Sequence, residues 1–295
     1  MECLRCLGNV SAARHVVSSR PGDRNEEHKP YVVSPHVASR EVTMGALVSA
    51  FFDAAMEYHG PGGSGPDATE VTYGACLEDA AALAGTAAGF GELALRFLVD
   101  WGGSSTARAF PESGRARLRR SLDKWAQANQ PQIEALSTDA LWSGSLHALG
   151  PSVCDLFDTL SRVEQPRTGG KARTFGPTAA GKTLHLLLPR LCLIWDETAV
   201  RTPLGLGPDP WSYLRYLRVQ KTLLGEMLTT ISSAEGFSTA DAVRSIVRTH
   251  RKQRDAGTPM AHDEPVTKLL DEAIYSGSFR KRWVAPLIED TKLPW

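Results

Sequence analysis

The sequence predicts an all-α, two-lobed helical fold with few or no strands. Apolar residues recur at helical spacing through most of the chain beyond position 40, glycine–proline breaks separate these stretches, and only Tyr31-Val-Val33 and Leu191 to Ile194 read as short strand-like runs. In the first stretch, Met44, Leu47, Val48, Phe51, Phe52 and Ala55 form one apolar stripe of a buried helix starting from Glu41. Gly60 to Pro66 breaks the pattern, and Cys76 to Val99 then reads as a helix pair hinged near Gly89-Phe-Gly91. Leu141 to Val163 carries Leu146, Leu149, Val153, Leu156, Phe157 and Leu160 at helical spacing, with an interruption expected at Gly150-Pro151. Trp211 to Ile231 repeats the pattern through Leu214, Leu217, Leu224 and Leu228. Ser238 to Arg248 and Pro265 to Ile274 add two shorter helices, the former with a Ser/Thr start suited to capping.

Composition bounds the possibilities. With 295 residues, 42% of them apolar, the chain is long enough for one large domain or two small ones, and its 33 basic and 33 acidic residues cancel. No stretch approaches the roughly 18 uncharged apolar residues that a membrane-spanning helix needs, so no membrane partner is expected. The five cysteines, at 3, 6, 76, 154 and 192, are odd in number and scattered, which fits a reducing cytoplasm rather than a secreted disulfide framework. Cys3 and Cys6 form a C-x-x-C without a second pair to complete a zinc module. Residues 1–40 mix Arg, Ser, Pro, Gly and Glu with little periodicity and are expected to be disordered or loosely packed, leaving 41–295 as the helical body. Oligomeric state is not legible.

The segment Gly176-Pro-Thr-Ala-Ala-Gly-Lys-Thr183 admits two readings. As G-x-x-x-x-G-K-[ST] it spells a nucleotide phosphate-binding loop. Such a loop must follow a buried strand, and Glu164 to Thr174 offers no apolar run. Alternatively Gly176 makes a turn, Pro177 takes the first helical position, and a short helix follows whose N-terminal amides face a phosphate.

On the second reading the stretch resembles the helix-hairpin-helix DNA glycosylase superfamily. The matching residues are Phe175-Gly176-Pro177-Thr178-Ala179-Ala180, then Asp196, Arg201 and Leu204-Gly205, with the family's intervals from hairpin glycine to aspartate and from aspartate to arginine. The resemblance implies a hairpin-containing module at about 131–235 flanked by residues 41–130 and the C-terminal segment. It also implies DNA as partner, a role in DNA repair, and N-glycosidic hydrolysis without metal, nucleotide or other cofactor. Asp196 would be the catalytic carboxylate, facing a cleft, with Lys182 one helical turn beyond Thr178 as a second catalytic candidate. Thr178 stands where bifunctional members carry their Schiff-base lysine, which points to a monofunctional enzyme. Gly176, Thr178, Ala179 and Arg201 would hold DNA phosphates. Trp195 and His185 would line the pocket, although both can equally be read as core. A non-catalytic helix-hairpin-helix protein that binds nucleic acid stays open beside the enzyme.

Basic residues cluster at Arg108 to Lys124, at Arg248 to Arg254, and at Arg280-Lys-Arg-Trp283, and such local patches can address phosphates on a neutral chain.

Overall fold

The apolar stripe from Met44 to Ala55 falls in α1 (Pro35–Tyr58), a helix that begins at Pro35, ahead of the expected Glu41, because proline suits a first helical position. The computed structural model describes residues 35–58, 68–83, 89–101, 112–168, 171–254 and 265–291. Cys3, Cys6, Tyr31 to Val33, Gly60 to Pro66 and Arg108 lie outside them. The helices that follow are α2 (Ala68–Ala82), α3 (Phe90–Arg96) running into a π-helical turn Phe97–Trp101, α4 (Glu112–Ser137) and α5 (Leu146–Ser161). A hairpin of β1 (Glu164–Thr168) and β2 (Lys171–Thr174) leads to α6 (Pro177–Leu187) and a second π-helical turn, Glu197–Arg201. Then come α7 (Pro210–Glu235), α8 (Thr239–Arg254), α9 (Val266–Tyr275) and α10 (Gly277–Phe279). A third π-helical turn, Arg280–Val284, and α11 (Ala285–Asp290) complete the described chain. Among the described residues the fold is all-α, with this one two-stranded sheet.

Local chemistry accounts for the longer elements. Asp209 caps α7 by accepting from the Ser212 amide at 2.9 Å, and Pro210 occupies the first helical position. Ser145 caps α5, which then runs through Gly150-Pro151 without the expected interruption. Pro151 stands in the second turn, where it removes one backbone bond, and the side chains of α5 recover that loss by packing on α6 and α7.

The strands are the main departure from expectation. The β1–β2 hairpin pairs Glu164 with Thr174 and Gln165 with Arg173, and it shifts register before Thr168, around Pro166. Glu164, Arg173 and Thr174 are exposed. An exposed hairpin needs no apolar run, and a bulge tolerates proline's missing N–H, so neither sequence signal for a strand was present. Conversely, Leu191 to Ile194 is fully buried but belongs to no strand. Its polar backbone is served by side chains instead: the Cys192 carbonyl meets His185 Nδ1 at 2.8 Å, and the Leu193 carbonyl accepts from the Tyr213 hydroxyl at 2.8 Å.

Buried apolar residues from Leu47 in α1 to Ile288 in α11 form one contiguous cluster, with a small satellite of Tyr73, Cys76, Leu93, Phe97 and Leu186. The core therefore runs unbroken through positions 131 and 235. α1 packs most extensively on α9, whose residues from Val266 to Ile274 are all buried. No described helix is long and apolar enough to cross a membrane.

α6 meets the chain segment of Trp195 at its closest approach. A Cβ on Gly181 would fall 2.2 Å from Trp195 Cβ, and Trp195 is wedged among Phe157, Tyr213 and Tyr216 with no room to retreat. Alanine at 181 gains about 1 kcal/mol of helix propensity but overpacks by about 3 kcal/mol, so Gly181→Ala is expected to cost about 2 kcal/mol. A urea midpoint lowered at unchanged slope checks this, and an unchanged midpoint contradicts it.

Candidate active site

Gly176, with φ 82° and ψ 163°, turns the chain out of β2 into α6, a conformation that costs an L side chain. Its amide is not offered to a ligand, as the resemblance implied, because it donates to the Ser161 carbonyl at 2.8 Å and closes α5 against α6. Pro177 has no N–H. The amides of Thr178 and Ala179, both half-buried, are then the donors left at the start of α6. Because Pro177–Leu187 is continuous helix, the residues that would wrap phosphates in a nucleotide loop form helical turns instead, with Gly181, Lys182 and Thr183 buried mid-helix. We expect no micromolar binding of ATP with Mg²⁺ and no difference between wild type and Lys182→Ala in equilibrium binding of labelled nucleotide. Tight binding lost in the variant would reverse this.

Lys182 and Asp196 come together. Lys182 Nζ lies 3.3 Å from Asp196 Oδ2, and the two side chains are 11% and 17% exposed. The other oxygen, Oδ1, accepts from the amides of Thr198 at 2.8 Å and Ala199 at 2.9 Å, capping the π-helical turn. The carboxylate thus sits in a largely covered corner rather than facing the open cleft expected of it. Its two oxygens have separate tasks, one structural and one toward the lysine. The turn is anchored from behind by Arg280 Nη1, which donates to the Ala199 carbonyl at 2.8 Å and to that of Ile274 at 3.1 Å.

The other expected site residues divide. Arg201, expected on a phosphate, donates to Glu197 within its own turn and is 17% exposed, because a carboxylate one turn away is its nearest partner. Trp195 and His185 are fully buried and line no open pocket. His185 bridges α6 to α2: a carbonyl only accepts, so Nδ1 donates to Cys192, and Tyr73 donates its hydroxyl to Nε2 at 2.7 Å. Burial, against the pull of the Cys192 carbonyl and with the help of Lys268, lowers this imidazole to about 4, so it is neutral near pH 7.

Sequence reasoning missed α9. Lys268, Asp271 and Glu272 are buried there beside Lys182 and Asp196. Lys268 Nζ lies 2.6 Å from Glu272 Oε1, and His250 Nε2 of α8 lies 3.3 Å from Glu272 Oε2. Lys268 Nζ also stands 5.0 Å from the ring centre of Tyr58 and 5.5 Å from that of Tyr73. Burial pushes Asp271 up to about 8; Lys268 and Lys182 oppose the shift while Glu272 and Asp196 add to it. Asp271 Oδ1 has no hydrogen-bond partner among the described residues. The sequence signal was a helix carrying three charges within five residues, which reads as a solvated face until its neighbours are known.

The basic clusters also divide. Arg117, Arg120 and Lys124 are exposed on α4, whereas Arg119 bridges Glu92 and Glu112. His250 and Arg280 turn inward, leaving Arg248, Lys252, Lys281 and Arg282 exposed, with Arg282 over the half-buried Trp283 ring at 5.1 Å. In comparisons with protein-family models, curated proteins and solved structures, nothing matches this chain.

Proposed function

We propose that the chain is a DNA N-glycosylase-like enzyme with Asp196 as its catalytic carboxylate and Lys182 as its partner. The observation that carries the reading is the Lys182–Asp196 contact, an ammonium and a carboxylate held together at a partly open edge of an otherwise buried charged cluster. A base leaves the stack; as its bond to the sugar C1′ breaks, positive charge grows on the sugar, and Asp196 Oδ2 stabilises it and orients water. The water oxygen joins C1′ and a proton ends on the departing base. Lys182 holds Oδ2 in place, and the Thr178 and Ala179 amides, with the helix dipole behind them, receive a strand phosphate.

A second reading, nucleic-acid binding without chemistry, draws on the same carboxylate, since Oδ1 is spent on two cap bonds and Oδ2 on the lysine. Both readings require DNA binding that is weak and salt-dependent, because amides and exposed arginines address phosphate rather than sequence. Titration of duplex DNA at 50 mM and 200 mM salt is expected to give an affinity that falls several-fold or more as salt rises, about as expected for a few phosphate contacts. A folded protein that binds no DNA at the lower salt would remove both readings together.

A further inference from the structure

We propose that Tyr58 and Tyr275 form a stacking platform for an unpaired nucleobase beside the Lys182–Asp196 pair. The inference rests on the reading of that pair as a centre acting on DNA, and adds the form in which DNA is held. Tyr58 ends α1 and Tyr275 ends α9, and each leaves a large part of its ring in solvent, 40% and 38% of the residue. Their ring centres are 5.3 Å apart at 59°, an edge-tilted pair that leaves aromatic surface uncovered. Exposed large apolar side chains are few among the described residues, and the other two, Trp211 and Phe237, stand apart singly.

The platform adjoins the charged cluster. Burial raises the Tyr275 hydroxyl, and the carboxylates of Asp271 and Asp196 raise it further, so the phenol lies within electrostatic reach of both while the ring edge stays in water. The buried Asp271 carboxyl supplies an independent sign of a ligand, since its Oδ1 has no hydrogen-bond partner among the described residues and the residue is 2% exposed. A ligand that stacks on an aromatic face and offers donors and acceptors along its edge answers both features, and a nucleobase is that chemistry. Lys268, buried against the Tyr58 ring at 5.0 Å, fixes the platform from below.

The test uses the full chain and short single-stranded oligonucleotides of two kinds, one with a single central base among abasic tetrahydrofuran units and one with abasic units throughout. Wild type is expected to prefer the base-containing strand. Tyr275→Ala should weaken binding of that strand about tenfold, the loss typical of one stacked base, and leave the all-abasic strand unchanged. Tyr275→Phe, which keeps the ring, should bind as wild type does. Equal affinities of wild type and Tyr275→Ala for the base-containing strand overturn the platform, as does an equal loss on both strands. Base release by wild type, scored separately, judges the enzyme reading. Release with unchanged Tyr275→Ala binding sinks the platform alone, and a specific Tyr275 loss without release sinks the enzyme alone.

Discussion

Replacing Asp196 by asparagine is expected to depress base release by two or more orders of magnitude while folding and DNA binding persist. Asn caps a helical turn about as well as Asp, so the bonds from the Thr198 and Ala199 amides can be kept through its side-chain oxygen. What disappears is the negative charge on Oδ2, the atom facing Lys182. Preorganised charge of this kind contributes about 3 to 4 kcal/mol to a transition state that develops the opposite sign, which is a factor of about 10² to 10³ in rate. Single-turnover release from one substrate, wild type against variant, with DNA affinity measured in parallel, checks it. Equal rates would reduce Asp196 to a structural cap.

Asp271→Asn is expected to act on stability, and in a pH-dependent way. Burial raises the folded carboxyl from its ordinary 3.8 to about 8, so the native state binds this proton more tightly than the unfolded chain does. Between those values the native state holds more protons, and stability falls as pH rises through about 4 to 8, then levels off. An amide at 271 has no charge to bury and keeps the shape. At pH 8 the variant should therefore be more stable than wild type by about 3 kcal/mol, and at pH 5 the gap should shrink to about 1 kcal/mol. Urea unfolding at both pH values reads this directly. A variant destabilised equally at both would mean that Asp271 serves the fold as an ionised partner of Lys268 or Lys182.

The sequence made the helices legible because their apolar stripes are local, and the register from Gly176 to Asp196 correctly brought Lys182 and Asp196 together. Other features were hidden because they depend on distant neighbours. Whether Gly176 offers its amide depends on the Ser161 carbonyl, and that carbonyl's position depends on a hairpin with no apolar pattern. The charges of α9 look solvated in one dimension, yet α1 and α8 close over them. The Leu191 to Ile194 run reads as a strand because it is buried and extended, and fails to be one only because His185 and Tyr213 take its carbonyls.

The most direct test of the Lys182–Asp196 centre is chromatographic detection of free base after incubating wild-type protein with oligonucleotides carrying alkylated, oxidised or deaminated bases. The account predicts release of free base from at least one of these substrates, leaving an abasic strand. Strands that are bound but return every base intact across the whole panel would contradict it.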